Sequence, residues 1–460
     1  MATFFIDNHG CAKNQTDAEL LCGYLEKAAF ELTDNPDTAD FIIINSCGFI
    51  ESAKKESIDA VYSVKANYPN AKIILAGCLA QRYAQELSSS MPELDGIFGN
   101  GDLSKIAEYM NKVAAAGNQK TEPALYPQKG ICEGARPHIF NFKGSAFVKI
   151  TEGCSNNCSF CAIPLIRGAV RSRPVKNIVE EIKSLVASGI YEINLIGQDL
   201  AAFTTDEEHK GSALAYLLQQ ISLLKGRFII RTLYIHPDHF NTDILDVYKA
   251  DSRFVPYFDI PFQSGDDSII KAMNRVGPAS YYVELVNKIR TQLPAAVLRT
   301  TFLTGFPGET EQAAQNTREF LKKINPNWSG CFAYSREEDT PAYSLKNSVP
   351  ARVAQKRAEA LEQLQAELTA AHNEKYTGME LDVLIEEIIA FSEDSASAED
   401  AEGLAIGRAW FQAPEVDGSV VIRYDADDQK QCRAIEPGKV VKVKVLASTG
   451  IDLDARLLIR

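Results

Sequence analysis

Six of the ten cysteines in this 460-residue chain fall into two sets of three. Cys154, Cys158 and Cys161 stand in "EGCSNNCSFCAIPLIRG", where C-x3-C-x2-C spacing puts three sulfurs on one short loop. A structural zinc site closes a tetrahedron with four protein ligands, and no further cysteine or histidine follows this loop within about thirty residues. Three thiolates suit an iron–sulfur cluster with one metal corner left open for another group.

Cys11, Cys47 and Cys78 are far apart in sequence. Each falls at, or a few residues past, the end of an apolar run of strand type: "TFFID", "DFIIINS" and "KIILAG". In an open parallel sheet the carboxyl ends of the strands line one crevice, where ligands bind. Equivalent βα loops would therefore gather the three cysteines at one point. Gly10, Gly48 and Gly77 flank them, and glycine lets a bulky inorganic group approach the backbone. The plainer alternative is three separately buried small residues; their equivalent placement in three loops argues against it.

The elements that must position these sets read in three parts. Residues 1–110 alternate strand runs with helical patterns such as "DAELLCGYLEKAAF", the βαβ signature of a doubly wound parallel sheet. Residues 111–139 lack clear periodicity and carry Pro and Gly, as a linker does. Over residues 140–375, "SAFVKIT", "YEINLIG", "FIIRTLYI", "VPYFDIP" and "AVLRTTFLTG" read as strands with helices between, which predicts a partial or open TIM-like α/β barrel. The amphipathic "ARVAQKRAEALEQLQAELTAAHNEKY" leads out as a long helix. Residues 376–460 change character, and "ELDVLIEE", "AIGRAWF", "GSVVIRY" and "KVVKVKVLAS" predict a small β-barrel. Within it, "SEDSASAEDAEG" reads as an acidic loop.

Hydrophobic residues at 45% and charged residues at 24% fit a globular protein of several domains. No window has the length and apolarity of a membrane span, and the start lacks a signal-peptide pattern. The expectation is a cytoplasmic protein whose thiols stay reduced, so the cysteines are not a disulfide framework. The net charge of −13 is uneven: 8 Lys/Arg face 16 Asp/Glu in residues 1–110, and 9 face 17 in residues 376–460. Acidic ends disfavour a nucleic-acid polyanion and suit a basic protein partner.

Both cysteine sets and the three-part plan resemble, over nearly the whole chain, the radical S-adenosylmethionine methylthiotransferase family, whose tail is a TRAM-like barrel. The resemblance implies two [4Fe–4S] clusters. Cys154, Cys158 and Cys161 would hold the radical-generating one, whose open iron chelates S-adenosylmethionine and whose electron cleaves it to a 5′-deoxyadenosyl radical. Cys11, Cys47 and Cys78 would hold an auxiliary cluster that presents sulfur. S–CH3 then replaces hydrogen at an unactivated C–H, chemistry that a cofactor must carry. On the same resemblance, Phe160 belongs to the cluster loop. Gly197 and Gln198 lie at the cofactor's amino or ribose groups, and Gly305 in "TGFPGET" lies against its adenine. Arg167 and Arg171 are candidates for a cofactor or substrate carboxylate, and Asp199 is a candidate on the substrate side.

Within the family, "GCAKNQTDAE", "NSCGFIESAKKES", "IGQD" and "APEVDG" resemble the branch that modifies an aspartate β-carbon in small-subunit ribosomal protein twelve. A basic ribosomal protein also suits the acidic tail better than tRNA does. Ser264, Leu200 and Phe203 depart from that branch's pattern, and "QSG" around Ser264 resembles the tRNA-modifying branch. A tRNA adenosine methylthiotransferase is therefore the competing enzyme reading. An iron–sulfur electron carrier or scaffold is the competitor from another class, and it would cleave no cofactor. His236 and His239, spaced H-x2-H around Pro237, read as a turn rather than a helical zinc pair.

Overall fold

The apolar runs of the first hundred residues form a five-stranded parallel sheet in a computed structural model that describes residues 2–389 and 402–459. Its strands are β1 (Thr3–Asn8), β2 (Glu31–Leu32), β3 (Phe41–Ser46), β4 (Lys72–Ala76) and β5 (Gly96–Phe98), in the order β2-β1-β3-β4-β5. Strand side chains alternate between faces. Ile43 of β3 packs with helices α1 (Ala12–Lys27) and α4 (Ile106–Ala115), while Ile42 and Ile44 pack with α2 (Glu51–Asn67) and α3 (Gly77–Ser90). Each fully buried isoleucine contributes about 1.5–3 kcal/mol. The sheet is doubly wound, as expected, and its strand order reverses between β1 and β3. Such a switch point opens a crevice at the carboxyl ends of the strands.

The central sheet has six parallel strands: β6 (Ser145–Lys149), β9 (Glu192–Ile196), β10 (Ile229–Thr232), β11 (Phe254–Asp259), β12 (Val297–Thr304) and β13 (Trp328–Ala333), ordered β13-β12-β11-β10-β9-β6. Two short strands, β7 (Thr151–Glu152) and β8 (Arg171–Ser172), pair antiparallel on either side of the short cysteine loop. The sheet is not closed, so the open form of the expected barrel is the one adopted. Strand β13 was not expected, because "WSGCFA" interrupts its apolar residues with Ser and Gly. It forms because β12 offers six consecutive partners, from Arg299↔Trp328 to Thr304↔Ala333.

One face of this sheet packs against helices, and the other receives the tail. Phe147, Ile196, Tyr257, Val297 and Trp328 share a buried cluster with Val383, Phe411, Ile422 and Leu453. Helix Ala351–Asn373 leads to that tail, a closed barrel of β14 (Glu380–Ile389), β15 (Glu402–Ala409), β16 (Val420–Asp425), β17 (Val440–Ser448) and β18 (Leu453–Leu457). Of the stretch Ser392–Gly403 expected as an acidic loop, residues 392–401 lie outside the described residues, and Glu402 and Gly403 begin β15. Glu192 anchors the tail to the sheet. It binds Arg231 at 2.8 Å and Arg408 of the barrel at 2.7 Å, all three nearly excluded from solvent. No helix among the described residues is long and apolar enough to cross a membrane.

Candidate active site

Cys11 lies just beyond β1 and caps α1, Cys47 follows β3, and Cys78 occupies the first turn of α3. All three are thus at the carboxyl ends of strands around the β1/β3 switch point, and they come together. Asn14 Oδ1 accepts from Cys11 Sγ at 3.8 Å and from Cys78 Sγ at 3.6 Å. Burial pushes the Cys47 thiol up to about 12, and its neighbours Cys78 and Cys11 add to the effect. The glycines are needed here. Gly77 holds φ +91°, and a Cβ on it would stand 2.6 Å from Asn45 Oδ1; one on Gly48 would stand 2.8 Å from the Cys78 backbone.

The short loop folds back on itself. Cys154 N donates to Gly168 O at 3.0 Å, and Cys161 N donates to Cys158 O at 3.0 Å. Ser159 fixes the loop to the helix Asp267–Ala272 through bonds to Met273 O and Ala272 O. Phe160 packs against Ile269, Met273 and Phe306. His236 Nε2 stands 3.8 Å from Cys158 Sγ, and His239, stacked on His236, bonds Asp199 at 3.0 Å. The H-x2-H pair does form a turn, but it is a turn placed at the cysteine loop.

Cys78 packs with Ala162 and Ile166, which follow Cys161, in a small apolar contact between α3 and α5 (Ile163–Arg167). Arg167 closes it. Its guanidinium reaches Glu152 at 2.7 Å, Asp17 at 3.0 Å, Asn14 at 3.2 Å and the sulfur of Cys78 at 3.2 Å. Lys149 binds the same two carboxylates. Burial opposes ionisation of Glu152, yet Arg167 and Lys149 outweigh it and hold that carboxyl well below the usual range. The network was not visible in the sequence. The helical reading began at Asp17, whereas α1 begins at Ala12 and buries the polar run Lys13–Asp17.

The other expected residues are placed as follows. Asp199 is buried, accepts from the backbone of Ala201 and His236, and bonds Asn156 and His239. Arg171 donates to the carbonyls of Gly130, Arg167 and Ala169. Gly197 lies so close to Thr151 that a Cβ would stand 2.0 Å from its hydroxyl. Gln198 bonds Glu152 at 3.3 Å. Gly305 holds φ +75° and meets Ala354 of the exit helix. Ser264, Leu200 and Phe203 are interior. Ser264 Oγ receives Asp266 N and pairs with Thr317, and the other two belong to the central core.

Three thiols in each set are the donor type that an iron–sulfur cluster takes. Among the described residues no three ligating side chains are close enough to clasp one metal ion; a four-iron cube spreads its thiolates wider. A bound metal would deprotonate thiols that burial otherwise keeps protonated. A polar ligand is also provided for beside the short loop, because Thr151 Oγ1, Gln198 Oε1 and Arg275 Nε are buried without a hydrogen-bond partner. Native structures seldom leave such atoms unsatisfied.

Comparisons agree with this layout. Residues 3–99 match the model of uncharacterized protein family UPF0004, residues 148–321 that of the radical SAM superfamily, and residues 377–458 that of the TRAM domain. A ribosomal protein uS12 methylthiotransferase RimO of Treponema denticola is 51% identical, with 98% of this chain and 99% of the relative covered. One of Aquifex aeolicus is 37% identical, with 97% and 95% covered. A radical S-adenosylmethionine methyltransferase structure, TsrM from Kitasatospora setae, superposes with a TM-score of 0.53 at 14% identity, covering 72% of this chain and 73% of that one. That likeness concerns the fold alone. By its full-length identity and domain order, the chain belongs to the ribosomal protein uS12 methylthiotransferase RimO family of radical S-adenosylmethionine enzymes.

Proposed function

We propose that this chain inserts S–CH3 at the β-carbon of an aspartate in ribosomal protein uS12, using S-adenosylmethionine, in the cytoplasm. The observation that carries the reading is the packing of Cys78 against the helix that follows the short cysteine loop, in a chain 51% identical to a RimO relative over its full length. Cys154, Cys158 and Cys161 would hold one [4Fe–4S] cluster, and Cys11, Cys47 and Cys78 a second. When bound, the first cluster and S-adenosylmethionine would supply the one-electron chemistry that opens an unactivated C–H bond.

The chain's own residues do the rest. Thr151, Gln198 and Arg275 offer unpaired polar atoms to the cofactor, Phe160 walls the loop, and Gly197 keeps the adjoining strand end narrow. Gly305 lets the "TGFPGET" turn close against the exit helix. Asp199, held by four donors, keeps His236 and His239 against the cluster loop. Arg167 ties the two cysteine sets into one body, and Arg171 fixes the return of the loop. The division is 1–110 for the auxiliary-cluster domain, although α4 and its buried Val113 carry that domain on to Ala115, 111–139 for the linker, 140–375 for the radical domain and 376–460 for the substrate-gripping barrel, whose acidic character suits a basic ribosomal protein.

A direct competition tests this. The anaerobically reconstituted chain, with reductant, sulfide and S-adenosylmethionine, is offered ribosomal protein uS12 and unmodified tRNA together. Mass spectrometry should find the methylthio gain on an aspartate of the protein. A gain on adenosine alone would replace this reading with the tRNA one.

A further inference from the structure

Lys13, Lys149 and Arg167 are buried together where the N-terminal and central domains meet, and the last two are matched. Lys149 and Arg167 each bind both Asp17 and Glu152. Lys13 is equally enclosed, at 8% exposure, but no carboxylate or carbonyl oxygen of the described residues bonds its ammonium. The ammonium lies over the ring of Tyr234, 3.1 Å from its centroid. A cation–π contact offsets only part of what desolvating an ammonium costs. The Cys11 sulfur is the nearest group of opposite sign; of the carboxylates in electrostatic reach, Asp259 faces Arg299 at 3.6 Å and Glu152 is already bound by Lys149 and Arg167.

The place of this cation is as informative as its lack of a partner. Lys13 stands two residues past Cys11. Tyr234 stands two residues before His236, which touches Cys158 at 3.8 Å. Lys13 therefore spans from one cysteine set to the segment that supports the other. Tyr234 is held at φ +66°, a left-handed conformation that a bulky residue rarely adopts. Its carbonyl accepts from Leu200 N at 3.0 Å, and the next amide, Ile235 N, donates to Asp259 O at 2.9 Å. Strain kept in place by surrounding bonds is a mark of a functional position.

We infer that Lys13 receives the side-chain carboxylate of the substrate aspartate, with the Tyr234 ring as the floor beneath the ion pair. This rests on the reading that the substrate presents an aspartate. An ammonium offers three donors and no acceptor, so a carboxylate satisfies both its charge and its hydrogen bonds. The isosteric amide satisfies only the latter. Lys13 is thus a specificity residue: it selects aspartate over asparagine at the one position that reacts.

The test is binding by the reconstituted full-length protein, read by fluorescence anisotropy. The probes are a uS12 peptide spanning the target aspartate and the same peptide with asparagine there. Wild type should prefer the aspartate peptide by about tenfold to a hundredfold, the range of a charge-assisted hydrogen bond. Lys13→Met should bring the aspartate peptide down to the asparagine level and leave the latter unchanged. Lys13→Arg should recover part of the preference. Iron content should stay as in wild type in both variants. An aspartate preference that survives Lys13→Met overturns this inference alone. So does loss of iron from that variant, which would make Lys13 a counter-ion of the cluster. Failure of wild type to bind either peptide, with methylthiolation of tRNA instead, overturns the function reading and this inference with it.

Discussion

The two cysteine sets are assembled by opposite means. Cys154, Cys158 and Cys161 sit on eight consecutive residues, and local turns shape them. Cys11, Cys47 and Cys78 span 68 residues and meet only because three strands run parallel in the order that places β1 beside β3. Their surroundings differ as well. The first set is bordered by His236 and Arg275, and burial still pushes Cys161 up to about 12. In the second, burial raises Cys47 and Cys78, whereas at Cys11 the charges of Lys13 and Arg167, with backbone hydrogen bonds, outweigh burial and lower the thiol. A loop can carry its own geometry, whereas a site assembled from distant strands depends on the whole domain and on charges brought from its neighbour.

The comparison can be broken most sharply by removing one set at a time. Replacing Cys154, Cys158 and Cys161 by alanine should abolish reductive cleavage of S-adenosylmethionine. Replacing Cys11, Cys47 and Cys78 should leave cleavage intact while methylthiolation falls to background. Chromatography of the cleavage product and mass spectrometry of the substrate report the two separately.

Next comes Arg167→Met, which leaves Asp17 and Glu152 buried with one cation instead of two. Removing one partner from such a pair costs about 3–5 kcal/mol. The denaturation midpoint should drop accordingly, and absorbance from the N-terminal cluster should weaken more than that from the short loop. Equal weakening would mean that Arg167 serves both sets alike.

Gly77→Ala probes the backbone that the assembled set relies on. The added Cβ meets Asn45 and Ser46 in a left-handed conformation, at a cost of about 1–3 kcal/mol. Gly189→Ala is the control. It has φ +97° and open space around it, so it should cost less and leave iron content unchanged.

The smallest effect separates both sets from the exit helix. Burial pushes His372 down to about 4 from its ordinary value of 6.5, and its Nε2 bonds Asn325 O at 3.2 Å. A base whose folded pKa is lowered contributes stability that is present above 6.5 and lost as the pH falls through 4. The loss should be roughly 1 kcal/mol after solvent screening. Thermal midpoints at pH 7.5 and pH 5 should differ less in His372→Gln than in wild type.

How much of this was readable in advance follows from the same contrast. The short loop declared itself by spacing, and the distant set by its repeated position after apolar runs. The first turns of α1 did not, because Lys13, Asn14, Gln15 and Thr16 look like a solvated loop until a neighbouring domain covers them. Strand β13 was missed because pairing with β12, not its own apolar content, makes it a strand. Gly305 read as a cofactor turn, and it is also where the exit helix passes. Ser264, Leu200 and Phe203 stood out as departures from a pattern, and nothing in their own neighbourhood of sequence announced that all three are buried. Sequence carries local geometry and periodicity well. It carries poorly any residue whose meaning comes from a partner far along the chain.

The most direct test is iron stoichiometry with Mössbauer spectroscopy on the reconstituted wild type and the two triple-alanine variants. Two independent [4Fe–4S] sites predict about eight irons per chain in wild type and about four in each variant, with the spectrum of the surviving cluster unchanged. A variant that keeps the wild-type count, or one triple that loses all the iron, would contradict the claim that each cysteine set holds a cluster of its own.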